Sequence, residues 1–85
     1  LVDGSLSIER LKAVIQIPGE FPGEEENAFN TLGGFVMYML GRIPLPADHF
    51  SLGSLRFEVV DMDGHRVDKV LIARIQAVAE PQVNA

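Results

Sequence analysis

The sequence predicts an α+β domain, with two helices packed on one small, mainly antiparallel sheet. Three observations carry that expectation. Leu32, Phe35, Val36, Met39, Leu40 and Ile43 recur at helical spacing, the strongest periodic signal in the chain. The second half instead holds runs rich in Val, Ile, Leu and Phe, and Asp63-Gly64 between two of them is the favoured pair for a two-residue type I′ hairpin. The chain has 85 residues, enough for one core, whereas two domains would each be too small to fold without staples.

The elements follow in order. Val2 to Leu6 reads as a short strand or turn entry centred on Asp3-Gly4. Ser7 is a good N-cap, and Glu9 in the first turn meets the positive end of a helix. Ile8, Leu11 and Ile15, with Val14 beside them, form one apolar stripe, and Pro18-Gly19 stops it. Residues 18–30 hold two Pro, two Gly and four Glu, so they form a loop, with Phe21 and Phe29 as its apolar pins and Glu24-Glu25-Glu26 as its acidic tip. Thr31 caps the second helix, which carries no charge before Arg42 and is therefore expected to be buried on more than one side. Gly33 and Gly34 each lower its propensity by ~1 kcal/mol relative to Ala, a cost usually offset by close backbone packing. Gly41 sits at its C-terminal end, and Pro44 and Pro46 forbid continuation.

His49 to Ser51 is a short strand and Gly53-Ser54 a turn; 55–62 and 65–75 are the hairpin strands. A turn at Asp63-Gly64 sets Met62 opposite His65, Asp61 opposite Arg66, Val60 opposite Val67, Glu58 opposite Lys69, Phe57 opposite Val70 and Leu55 opposite Ile72. Leu55, Phe57, Val59, Val70 and Ile72 then share one face, and Val60, Met62, Val67 and Leu71 the other. Two partly apolar faces call for cover on both sides, from the helices on one and from the first helix, the N-terminal strand or a second copy on the other. Residues 76–85 lack periodicity and contain Pro81, so the domain is expected to span 1–75 with 76–85 as a flexible tail.

Composition narrows the function. A hydrophobic fraction of 47% is that of a folded domain rather than a disordered one. A net charge of −5 argues against a nucleic-acid surface, which needs clustered Lys and Arg. With no Cys, a disulfide framework, a thiolate metal site and a Cys nucleophile are all excluded, which fits a reducing compartment. The longest apolar stretch, 32–40, falls far short of the ~20 residues that span a bilayer, so a soluble piece is expected. The chain opens on Leu1 without a basic leader, and reads as a domain excised from a longer protein.

Candidate chemistry is sparse. His49 and His65 have no nucleophile motif around them and read as exposed surface residues. Glu24, Glu25 and Glu26, with Asp48, are the candidate ligands for a hard divalent cation such as Mg²⁺, although adjacent loop residues converge poorly. Asp61-x-Asp63-Gly64 opens like a calcium loop but lacks the closing Glu. Gly33-Gly34 at a helix start is the candidate for a nucleotide phosphate, or else a packing pair. Met37 and Tyr38, with Val60, Met62, Val67 and Leu71, are the candidate interaction residues, since Met and aromatic side chains are enriched in interface cores, with ordinary core as the equal alternative for Met37 and Tyr38.

The ordered pieces Leu1-Val2-Asp3-Gly4, Asn30-Thr31-Leu32-Gly33-Gly34-Phe35-Val36, Leu40-Gly41-Arg42-Ile43-Pro44, Leu55-Arg56-Phe57-Glu58-Val59, Met62-Asp63-Gly64 and Val67-Asp68-Lys69-Val70 together resemble the transporter-associated domain of the CorC/HlyC type. The resemblance covers about residues 1–75. It implies a non-catalytic α+β module at the cytosolic C-terminus of bacterial inner-membrane proteins similar to magnesium and cobalt efflux proteins and hemolysin-like proteins. Such a module usually follows a transmembrane region and CBS domains. Its fold is similar to part of a flavin-binding fold, so FAD enters by fold analogy alone, and no cofactor is expected. The partners implied are other domains of the parent chain, with a homodimer possible and no nucleic acid. The alternative reading is a small-ligand module for a divalent cation (Mg or Co) or a flavin or adenine nucleotide.

Overall fold

The computed structural model describes residues 1–15 and 20–75. Two helices, α1 (Ile8–Ile15) and α2 (Leu32–Leu40), pack on an open antiparallel sheet of β1 (Val2–Asp3), β2 (His49–Leu52), β3 (Leu55–Asp63) and β4 (Arg66–Arg74), in the order β1-β4-β3-β2. The chain starts at the sheet edge, leaves it for both helices, and returns as a β2-β3-β4 meander that closes beside its own start, with Val2 opposite Val70.

Local chemistry sets the helix ends. Ser7 Oγ accepts from Arg10 N–H at 3.2 Å at the start of α1. Thr31 Oγ1 accepts from Gly34 N–H at 3.1 Å, and Gly41 at φ +74° ends α2, its N–H donating to Met37 O. The two starts lie side by side: Leu32 N–H donates to Leu6 O at 2.9 Å, and Ile8 N–H to Asn30 O at 3.0 Å. The proposed helix stop at Pro18-Gly19 and the tail 76–85 lie outside the described residues.

Ile8 and Leu11 of α1, Leu32, Phe35 and Val36 of α2, and Leu55, Phe57, Val59, Val67 and Val70 of the sheet join Phe21 in one buried cluster. Each fully buried side chain of this size contributes roughly 1.5–3 kcal/mol. Phe35 is its hub, with ring centroids 4.6 Å from Phe21, 5.0 Å from Phe29, 5.6 Å from Phe57 and 5.7 Å from Phe50. The loop pins expected at Phe21 and Phe29 thus reach the core.

The hairpin register differs from the expected one. Asp63 pairs with Arg66, so the loop is Gly64-His65 rather than Asp63-Gly64. Gly64 has φ +63° and His65 is not in the left-handed region, the pattern of a type II′ turn, which takes Gly first. Pairs beyond the turn move by two: Phe57 faces Ile72, Glu58 faces Leu71, and Leu55 faces Arg74. An even shift preserves faces, so Leu55, Phe57, Val59, Val70 and Ile72 do line the core. Two offsetting bulges, an extra Val60 on β3 and an extra Asp68 on β4, then change the parity near the turn. As a result Val67 and Met62, expected on the outer face, turn inward: Val67 is 7% exposed, and Met62 packs against the core.

Val60 and Leu71 remain outside at 43% and 41% exposure. The expected cover by α1 or β1 is not there, because α1 shares the core with α2 and β1 extends the sheet edge. The outer face is instead laced with charge: Arg56 meets Glu58 at 2.6 Å, and Lys69 lies 3.3 Å from Asp68 and 3.7 Å from Asp3.

Candidate functional site

Two clefts flank the start of α2. One, about 370 Å³, lies between the β1–α1 turn, the first turn of α2 and the hairpin loop; its lining includes Ser5, Gly33, Gly34, Met37, His65 and Arg66. It contains both glycines proposed for a phosphate. The donors such a ligand needs are already committed, however. Gly33 N–H donates to Gly4 O at 2.9 Å, Gly34 N–H to Thr31 Oγ1, and Leu32 N–H to Leu6 O. The packing alternative is what the backbone requires. A Cβ on Gly4 would stand 2.0 Å from Val67 O, and one on Gly33 3.2 Å from both Gly4 O and Val67 Cβ. The backbone N–H groups of this helix start are therefore not free to hold a nucleotide or flavin phosphate.

The second cleft, about 400 Å³, is bounded by the α1 start and the acidic loop, with Ser7, Glu9, Glu20, Glu24, Asn27 and Asn30 in its lining. Glu24 is held rather than free. Lys12 Nζ reaches its two oxygens at 2.8 and 3.1 Å, and Phe21 N–H donates to it at 2.8 Å. The Lys12 ammonium, and after it the Phe21 N–H, hold the Glu24 carboxyl below the usual range. Glu20 is displaced upward by hydrogen bonding and then by like charge from the neighbouring Glu25 carboxyl. Glu25 and Glu26 are exposed on the tip.

The fourth proposed ligand, Asp48, stands on the loop before β2. Arg42 Nη1 lies 2.7 Å from it and Leu45 N–H donates to it at 2.8 Å; the Arg42 bond lowers its carboxyl and raises the guanidinium in turn. Glu24 and Asp48 are thus each engaged by a cation of their own. Among the described residues no group of three or more His, Asp or Glu side chains is placed to hold a metal ion. His49 and His65 are both exposed, and His49 Nδ1 faces Ala47 O at 3.1 Å.

The interaction candidates divide. Tyr38 is 44% exposed and packs on Phe29 at 5.5 Å, while Met37 is half-buried against the core. Ile43 at 45% and Leu45 at 65% follow Tyr38 as exposed apolar residues just beyond α2. Sequence reading did not single out Leu45 or the cleft residues Glu9, Glu20 and Arg66. The four Glu of the loop signalled Glu20, but no local pattern marks residues that only tertiary packing brings together.

Comparison with known proteins agrees with the geometry. The family model for the CorC_HlyC transporter associated domain matches residues 1–76. A UPF0053 protein, sll0260, of Synechocystis is 48% identical over 75 residues, 88% of this chain and 16% of the relative. The polyamine export protein of Escherichia coli is 39% identical over 79 residues, 93% of this chain and 17% of the relative. The chain therefore spans about a sixth of the length of these curated relatives. Among solved structures, the transporter associated domain of a Xylella fastidiosa hemolysin, in complex with Mg²⁺ and Mn²⁺, superposes with a TM-score of 0.74 at 37% identity, covering 88% of this chain and 85% of that one. The corresponding domain from Nitrosomonas europaea gives a TM-score of 0.76 at 27% identity, over 86% and 82%. With one four-stranded antiparallel sheet under two helices, and a match running through all of it, the chain belongs to the CorC_HlyC transporter-associated domain family.

Proposed function

We propose that this domain is a non-catalytic regulatory and interaction module of a cation-exporting membrane protein, placed at the cytosolic C-terminus of its parent in a bacterial inner membrane. The observation that carries this is the run of exposed apolar side chains Tyr38, Ile43 and Leu45 at the end of α2, on a scaffold whose α2-start N–H donors and whose Glu24 and Asp48 carboxylates are already engaged internally. Exposed aromatic and aliphatic groups beside a rigid helix end suit docking against another domain of the same chain. The test replaces Ile43 and Leu45 with Ser in the full-length protein. The expected result is altered cation export with an unchanged melting temperature of the domain. Unchanged export under all conditions that modulate the parent would end the reading.

One observation favours a second reading, that the module binds the exported cation. The acidic cleft gathers Glu9, Glu20 and Glu24, and the neighbouring Glu25 carboxyl raises that of Glu20. Separated carboxylates suit an extended polyamine better than a compact Mg²⁺ or Co²⁺, which needs converging oxygens. Polyamine export is named for the Escherichia coli relative, and Mg²⁺ and Mn²⁺ for the Xylella structure. Calorimetry with spermidine, Mg²⁺ and Co²⁺ separates them: heat with spermidine alone, lost in Glu20→Gln, is expected, and silence from all three would remove this reading.

A further inference from the structure

We infer that the open edge of β2 is where two copies of this chain meet, strand to strand, as a reversible two-fold dimer. The inference does not lean on the proposed module role. β2 ends the sheet and pairs with β3 alone. Val59 N–H donates to Asp48 O at 2.8 Å, so the backbone of Asp48 is turned toward β3. Backbone groups alternate in direction along a strand, so Phe50 and Leu52 also face β3, while His49 and Ser51 face away from it. No described residue bonds the backbone N–H or C=O of His49 or Ser51. Each copy thus presents two donors and two acceptors along this edge. Sheets usually protect such an edge with charge, Pro or a bulge. Here residues 49–54 hold no Lys, Arg, Asp, Glu or Pro, and β2 runs along β3 without a shift of register. The opposite edge, by contrast, carries Asp3 with Lys69 beside it.

The spacing names the occupant. An antiparallel copy centred on Phe50 sets His49 opposite the partner's Ser51, and Ser51 opposite the partner's His49. Both are hydrogen-bonded pairs, so every outward donor of the two copies meets an outward acceptor. Phe50 then lies opposite the partner's Phe50 in the closer, non-hydrogen-bonded kind of pair. Phe50 is half-buried, with its ring stacked on Phe57 at 5.0 Å and 6°, and the second copy continues that aromatic row along the core face. On the outer face His49 meets only Ser51, so no like charges oppose each other. An unrelated strand could satisfy the backbone, but a second copy also supplies the aromatic match by symmetry. The edge is short, which puts the dimer in the weak class that buries less than about 1,200 Å².

Sedimentation and amide hydrogen exchange of the 85-residue chain test this between about 10 μM and about 2 mM. The weight-average mass should climb from 9.3 kDa toward twice that value. In step with it, the His49 and Ser51 amides should slow, by about twofold when half the chains are paired, while Phe50 and Leu52 hold their rates. Ser51→Pro removes an outward N–H and no bond to β3, and should stay monomeric at the highest concentration with its fold retained. A mass fixed at 9.3 kDa throughout overturns the inference, and so does a Ser51→Pro variant that dimerises as readily as the parent chain. A rising mass with His49 and Ser51 unchanged also overturns it, and moves the contact to the apolar patch at Ile43 and Leu45. That exchange pattern is read on the unmodified chain, so it decides the matter even where Ser51→Pro fails to fold.

Discussion

Replacing Gly4 by Ala tests how the first residues are fastened to the sheet. Gly4 is not in the left-handed region, so its φ is open to any residue and backbone strain does not enter. What forbids a side chain is contact. The added Cβ would stand 2.0 Å from Val67 O and 2.8 Å from Val67 C, both backbone atoms that no rotamer change can move. The turn must lift off β4, which breaks Gly4 N–H to Asp68 O at 2.8 Å and weakens Gly33 N–H to Gly4 O at 2.9 Å. Each bond contributes about 0.5–1.5 kcal/mol, and the buried groups left behind cost more. Against this, Ala stiffens the unfolded chain and recovers about 0.4–1 kcal/mol. The net expectation is a loss of about 3 kcal/mol, a large share of the ~4–13 kcal/mol typical of a domain this size. At about 4–8 °C per kcal/mol, the melting temperature should fall by roughly 12–24 °C, alongside a lower urea midpoint at unchanged slope. Gly41→Ala is the internal control: its φ is +74° but nothing lies within 4 Å of a Cβ there, so it should cost only about 1 kcal/mol. A Gly4→Ala variant as stable as Gly41→Ala, or more so, would refute the close-packing account.

Four further outcomes are expected. Phe35→Ala empties the hub of the aromatic cluster and should cost about 3–5 kcal/mol, read as loss of near-UV circular dichroism or of cooperative urea unfolding. Val67→Lys should destabilise by more than about 2 kcal/mol in urea unfolding because it buries a charge, whereas Val60→Lys on the outer face should stay within about 0.5 kcal/mol; equal effects would restore the register without bulges. The acid side is set by carboxylates held low in the folded state. Glu24, Asp48 and Asp3 stabilise above their unfolded values, about 4.3 for Glu and 3.9 for Asp, and lose that contribution as pH falls through their lower folded values. Glu20 has the opposite sign: its raised value makes its ionisation destabilising at neutral pH, so Glu20→Gln should melt higher than the parent chain at pH 7, with the difference vanishing well below pH 4.

Much of this protein was legible along the chain because it is encoded within one turn or one ladder step. Ser7 and Thr31 cap because their hydroxyls reach an N–H three residues on, and Gly41 ends α2 because it alone takes φ +74° without strain. The alternating Leu55, Phe57 and Val59 pointed to the core face whichever way the turn was closed, since any even slip preserves it. The ordered set of short pieces marked the family, because every piece matched in sequence order across nearly the whole chain.

Tertiary packing decided the rest. Asp63-Gly64 suits a type I′ loop locally, yet the chain closes through Gly64-His65, and two bulges bring Met62 and Val67 under the helices where the apolar gain lies. Gly33 read as a packing contact, with a phosphate cradle as the alternative, until Gly4 O and Val67 were found against it, and Glu24 read as part of a solvated acidic tip or a candidate cation ligand until Lys12 was found 2.8 Å away. A side chain's type states what it is able to bind. Only the fold states which of its possible partners is already there, because residues distant in sequence compete for the same atoms.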